Sequence, residues 1–292
     1  MAISFVGAAA STAGAVTIAT STSAVTLPSG LASGDLLIIA VHRTHDYPLT
    51  SATPTGYTFL RNIIDAGTTP NAAQSDIYYK VCTGSEGTSG PTFTTATATR
   101  WVVHAAAYRG ASTTTPLTAE SGQGHTTPSS TTHDAPTITN SNSAGWAVYA
   151  GGARGTASPV SWTPPIGMTE RLDTDLAVAN TSNVWATWAD SAGTVATGSA
   201  TYSGTTSGAT PTATAWAAFI NPQPVFGPPT GLTANPVSST EIDLSWDAAY
   251  TATGYDVERD GVLVATNVAT TSYSDTSLTP NTLYSYRVRS VQ

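Results

Sequence analysis

Near the C-terminus three short segments alternate apolar and polar residues with a period of two: Ile242, Leu244 and Trp246, then Tyr255 and Val257, then Tyr284, Tyr286 and Val288. In an extended chain successive side chains point to opposite sides, so each segment reads as a strand with one face to bury. Asp260-Gly261, directly after Gly254-Tyr255-Asp-Val257-Glu-Arg259, supplies the two positive-φ positions of a tight hairpin turn. A chain patterned this way is committed to sheets. Nothing in the remaining sequence argues otherwise, because no stretch carries the heptad or 3.6-residue repeat of a long helix and Thr, Ala, Ser and Gly dominate. The expected fold class is all-β.

The C-terminal stretch has a more specific likeness. Pro229-Thr-Gly231-Leu232-Thr-Ala234 fits a first strand, Ile242 to Trp246 a second, Gly254 to Arg259 a third, and Leu278-Thr-Pro280-Asn-Thr282-Leu-Tyr284-Ser-Tyr286-Arg-Val288 the penultimate one. Residues 230–292 resemble a fibronectin type III module. That resemblance implies a sandwich that binds or spaces rather than catalyses, and a tyrosine corner in which Tyr284 bonds back to the main chain. A complete module continues into a seventh strand, whereas the sequence reaches Gln292 only a few residues past Val288. The edge carried by Tyr284, Tyr286, Arg287, Val288 and Arg289 is therefore expected either to remain open in a six-stranded sandwich or to accept a partner strand.

Upstream, Asn221-Pro222-Gln-Pro224-Val-Phe-Gly227-Pro228-Pro229 reads as a stiff extended linker, placed at 223–229. Residues 1–222 then form one larger unit with an internal duplication, its halves spanning approximately 24–110 and 134–221. Thr26 to Val41 aligns with Thr137 to Gly152, and Pro54-Thr-Gly56-Tyr-Thr58 with Pro165-Ile-Gly167-Met-Thr169. After small indels Ile77-Tyr78 answers Val184-Trp185, and Ala98-Thr-Arg-Trp101 answers Ala213-Thr-Ala-Trp216. Each half offers four strands with one apolar face, so the two are expected to close on each other as a jelly-roll-like sandwich. The alternative, two generic strand sets without common origin, leaves the all-β reading intact.

Composition excludes several functions. Charged residues make up 10% and the net charge of −8 is spread over both regions without a basic cluster, which argues against nucleic-acid binding. The single cysteine, Cys82, rules out an internal disulfide framework and reads as a buried strand thiol. Met-Ala-Ile-Ser-Phe-Val-Gly has no basic leader, and no segment approaches the ~20 apolar residues that span a bilayer. Synthesis in a host cytoplasm without a signal peptide, and no membrane partner, are the expectations.

Ser4-Phe-Val-Gly-Ala, Leu27-Pro28-Ser-Gly-Leu and Trp101-Val-Val-His-Ala-Ala-Ala-Tyr108-Arg109-Gly110 also resemble, more loosely, a module of phage virion proteins. This implies a non-enzymatic minor tail or capsid-decorating protein on the virion surface, multi-copy, contacting other virion proteins and a host-surface glycan. The alternative is a carbohydrate-binding accessory module of a bacterial cell-surface protein. No catalytic motif is found and no cofactor is expected. The best metal candidates are His42, His45 and Asp46, which converge only if the loop turns sharply, because residues three apart on a strand face opposite ways. Glu170, Asp173 and Asp175 lie on a strand, where Asp173 and Asp175 share a face and could bind calcium or act as a glycosidase pair. Trp162, in a loop before Pro164-Pro165, is the expected exposed aromatic for stacking on sugar, whereas Trp185 and Trp188 have opposite parity, so at least one faces the core.

Overall fold

Several strands of the first region do not alternate at all: Leu36-Leu-Ile-Ile-Ala-Val41 and Trp216-Ala-Ala-Phe-Ile220 are continuous apolar runs. A strand needs apolar residues on both faces only when both are covered. The computed structural model shows the covering. It describes residues 2–13, 19–44, 49–65, 72–125, 130–155, 160–176, 183–210, 212–223, 227–249 and 252–291, which divide into two compact units, Met1–Gln223 and Pro224–Gln292.

The first half of the larger unit comprises β1 (Ser4–Ala13), β2 (Ala19–Ser21), β3 (Leu36–Thr44), β4 (Thr58–Ile64), β5 (Ala73–Val81), β6 (Thr94–Thr99) and β7 (Trp101–Arg109). They form a sheet in the order β1-β7-β3-β5-β4 and a ribbon β2-β6. The second half comprises β8 (Leu117–His125), β9 (Ser130–Asn140), β10 (Trp146–Gly155), β11 (Trp162–Thr163), β12 (Thr169–Leu176), β13 (Asn183–Asp190), β14 (Gly198–Thr210) and β15 (Thr212–Ile220). Its sheets are β12-β13-β10-β15-β8 and β11-β14-β9. Read backwards, the second five-stranded order is the first with each strand replaced by its counterpart, so the duplication is one of topology.

Four layers result. The two five-stranded sheets meet face to face over Leu36, Ile38, Ala106 and Tyr108 from one half and Trp146, Val148, Trp188 and Trp216 from the other. Each also buries its outer face, the first under a layer containing Val25, Leu27 and Phe93, the second under Ala135, Ile138 and Trp162. Every residue of β3, β10, β13 and β15 is consequently buried. The halves close on each other as expected, but each is a sandwich of seven or eight strands rather than a set of four.

Strand register refines the repeat. Phe59 lies opposite Tyr78 and Arg61 opposite Ile77 with a bulge between, while Glu170 lies opposite Ala189 and Leu172 opposite Trp188 with a bulge between. These strands correspond at a constant spacing of 111 residues, without the indel that matched Tyr78 to Trp185. The sequence alignment is one residue out at β3: Leu36 faces the other half, whereas its supposed partner Ala147 faces outward. The true match is Trp146. Trp101 and Trp216 likewise occupy opposite faces, so their shared Ala-Thr-x-Trp motif is coincidental. A one-residue slip in a strand exchanges its two faces, and turn glycines cannot reveal it.

Contact between the halves is close enough to require glycine. A Cβ on Gly124 of β8 would stand 2.3 Å from Asp65 Cα, and one on Gly152 of β10 would stand 2.4 Å from His42 Nδ1. Polar ties also cross the seam. Trp188 Nε1 donates to Tyr108 Oη at 2.8 Å, Tyr108 donates to Asp190 Oδ2 at 3.1 Å, and Arg171 holds both oxygens of Asp190 at 2.8 Å. Arg61 binds Glu120 at 2.8 and 2.7 Å, and Trp216 Nε1 donates to the same carboxylate at 2.9 Å.

In the smaller unit β16 (Thr233–Ser238), β17 (Glu241–Ser245) and β20 (Ser272–Thr276) form one sheet, and β18 (Gly254–Arg259), β19 (Val262–Val268) and β21 (Tyr286–Val291) the other. Leu244, Trp246, Tyr255 and Val257 fill the core between them. Asp260 and Gly261 have φ of 52° and 81°, as the hairpin between β18 and β19 requires. The linker expected at 223–229 is shorter at both ends. Gln223 donates to Gly110 O at 2.6 Å within the first unit, and Ser290 donates to Gly227 O at 2.8 Å within the second. Pro224 to Phe226 lie outside the described residues.

The tyrosine corner is present: Tyr284 Oη accepts the Thr279 N–H at 2.8 Å, and the Arg259 guanidinium lies 5.5 Å from the ring centre. Tyr284→Phe keeps the ring and removes the acceptor, and is expected to cost ~1 kcal/mol. In a unit this small that lowers the melting midpoint by roughly 4–8 °C. An unchanged midpoint for residues 224–292 would show that the corner contributes nothing.

Candidate functional surfaces

His42 lies on β3 between the two halves, 1% exposed, with Nδ1 2.7 Å from Ser75 Oγ and its ring 5.7 Å from His104. Ser75 continues to Thr214 Oγ1 at 2.5 Å in the second half. Burial, followed by His104 and Arg43, holds the His42 pKa well below the usual histidine value. His42 is thus a neutral tie between layers and is withdrawn from the metal site proposed with His45 and Asp46, which lie outside the described residues. Among the described residues no group of three or more His, Cys, Asp and Glu side chains is placed to hold a metal.

Glu170, Asp173 and Asp175 lie exposed on β12 at the edge of its five-stranded sheet; Asp173 and Asp175 share a face as their parity implied, and the bulge between Glu170 and Leu172 brings Glu170 to it as well. Asp173 Oδ2 accepts the Trp162 backbone N–H at 3.2 Å. Partial desolvation is the largest cause of the upward pKa shift at all three carboxyls. Trp162 itself is a correction: it is 4% exposed, lies 5.2 Å from the His133 ring and closes over Gly151, so no indole face is offered to a sugar. Its Pro-Pro neighbours suggested a loop, but β11 pairs with β14 and tucks the side chain into the outer core. Trp185 and Trp188 are both buried, one on each face of β13. Cys82 is buried as well, and burial raises its thiol pKa to about 12.

β21 pairs with β18 on one side and is the outer strand of its sheet among the described residues. Tyr286 and Val288 pack on the core, and Tyr286 donates to Asp275 Oδ2 at 2.8 Å. Arg289 binds Asp256 at 3.0 and 2.8 Å, while Arg287 sits opposite Glu258. Both arginines therefore face carboxylates of β18.

One surface was missed. On the outer face of β4 and β5, Phe59 pairs with Tyr78, Asn62 with Asp76 and Ile64 with Gln74, and with Leu49, Ser51 and Thr53 they line an open groove of about 500 Å³. Phe59 and Ile64 are 44% and 45% exposed. The sequence signal was available in the alternation of Phe59, Asn62 and Ile64 after the Pro54-Gly56 turn, but a bulge at Leu60 breaks the parity.

Comparison with known proteins places the C-terminal unit: residues 227–292 match the fibronectin type III domain family. The chain is 50% identical over 64 residues to Exoglucanase B of Cellulomonas fimi, 21% of this chain and 6% of that protein. It is 52% identical over 54 residues to Exochitinase 1 of Streptomyces olivaceoviridis, covering 18% and 9%, and 43% identical over 63 residues to a poly(3-hydroxybutyrate) depolymerase of Ralstonia pickettii, covering 22% and 13%. The chain thus spans 6 to 13% of these relatives. The solved FN1–FN3 domains of chicken CNTN1 align over 99% of this chain and 93% of theirs at 14% identity, but a TM-score of 0.22 carries no argument. These findings overturn the virion-protein expectation, since the similar proteins are bacterial polymer-degrading enzymes.

Proposed function

We propose that this chain is a non-catalytic, carbohydrate-binding accessory segment of a bacterial cell-surface protein, in which the duplicated sandwich engages glycan and the fibronectin type III domain spaces it from its neighbours. The observation that carries this reading is the 45–52% identity of one module's length of chain to exoglucanases and chitinases. The matched stretch is a small fraction of each relative, which fits an accessory role better than a share in catalysis. A β-sandwich with no basic cluster suits a neutral polymer.

Sedimentation with insoluble polysaccharide tests it. The full chain is expected to be depleted from solution by microcrystalline cellulose or chitin and to release no reducing sugar from either. A chain that stays wholly in the supernatant with both, or that hydrolyses one of them, refutes the reading.

A further inference from the structure

We propose that the groove on β4 and β5 binds successive pyranose units of a neutral glucan chain. This rests on the glycan-binding reading above and names where binding occurs. The groove is not demanded by the fold. Its counterparts in the second half, at the same 111-residue spacing, are Glu170 opposite Ala189, Asp173 opposite Thr187 and Asp175 opposite Trp185. The same strands thus pair around the same bulge without an aromatic on β12. Three residues before the turn proline the second half places Trp162, buried at 4% exposure, whereas the first half places Ser51, whose small side chain lines the open groove.

The chemistry of the lining narrows the ligand. Phe59 is exposed yet held in a tilted stack on Tyr78, ring centres 5.3 Å apart, so its free face is a fixed apolar platform for the C–H face of a sugar ring. Gln74 is 2% exposed, and its Oε1 has no hydrogen-bond partner among the described residues. A buried acceptor without a donor costs stability unless something supplies one; Gln74 lies four residues, roughly 13 Å, along β5 from Tyr78, so the donor it awaits is a hydroxyl of a sugar unit further along the groove from the one on Phe59. Asp76, beside Gln74 on the floor, is already neutralised by Arg43 and accepts Asn62 Nδ2 at 2.6 Å. The floor therefore presents no free charge, and a chain of net charge −8 disfavours acidic polysaccharides. A volume of about 500 Å³ falls within the range of ligand sites. What remains is a neutral ring with hydroxyls at successive carbons.

The test is titration of the ¹⁵N-labelled full chain with cellohexaose, alongside Phe59→Ala and Gln74→Leu. Wild-type shifts are expected to centre on Ser51, Asn62 and Gln74, with affinity falling at least tenfold in Phe59→Ala and at least fivefold in Gln74→Leu, and with melting midpoints unchanged within a few degrees. If either variant fails to fold, the location of the wild-type shifts still decides the matter. Cellohexaose shifts elsewhere, or undiminished binding by both folded variants, overturn the groove and leave the glycan-binding reading standing. Binding of N-acetylated chitohexaose but not cellohexaose overturns the glucan assignment. Binding of neither soluble nor insoluble glycan overturns both proposals.

Discussion

Trp188→Ala is expected to destabilise the larger unit by ~3–5 kcal/mol, the range for removing a buried tryptophan from a core. Trp188 is fully buried where the two halves meet, its ring 6.2 Å from Trp216 and its Nε1 bonded to Tyr108 of the other half. The substitution opens a cavity at the centre of the four layers and removes a donor from the chain that runs through Tyr108 to Asp190 and Arg171. In a unit of this size the loss corresponds to roughly 6–20 °C in melting midpoint. Calorimetry of the full chain should show that transition shifted while that of residues 224–292 stays in place. If the transition of the larger unit does not move, the halves do not share a core.

Acidification is expected to have an effect of similar size. His42, His104 and His133 are 1% exposed or less, and burial is the main cause lowering all three, His104 to about 3 and His133 to about 4. For His104 a backbone bond to Thr187 offsets part of the shift; for His133 the neighbouring His125 adds to it and Asp134 opposes it. A base whose pKa is depressed in the folded state takes up protons first in the unfolded chain. Its contribution is therefore intact above the unfolded value near 6.5 and is lost as the pH falls, by ~1.4 kcal/mol per unit until the folded pKa is reached. At pH 4.5 His104 and His133 each remove roughly 2–3 kcal/mol, and His42 acts in the same direction. Glu170, Asp173 and Asp175, with raised pKa values, act oppositely, but chiefly near and below pH 5. The melting midpoint of the larger unit should thus fall steeply between pH 6.5 and 4.5, and His104→Gln should flatten the curve. A pH-independent midpoint over that interval would show that these imidazoles are not buried neutral.

The smaller unit was legible strand by strand because its signals are local. Ile242, Leu244 and Trp246 alternate, Asp260-Gly261 turns, and Tyr284 stands where a corner needs it, and each of these is decided within a few residues of chain. For the larger unit the sequence determined the all-β class and pointed to a duplication that the matching strand orders of the two halves bear out. It did not determine which face of each strand meets which layer. In β3, β10 and β15 both faces are covered and apolar or small residues run through consecutive positions, as from Leu36 to Val41, so these runs carry no parity by which to set register, and Leu36 could be matched to Ala147 instead of Trp146 without breaking any pattern. The same ambiguity hid the environments of individual side chains. Trp162 looked exposed until β11 paired with β14, and His42 looked like a ligand until the second half covered it, while the groove beside Phe59 had no sequence reading at all. Alternation specifies that a residue is in a strand. Only the packing of one sheet against another, a long-range event with no local signature, decides whether that residue meets protein or solvent.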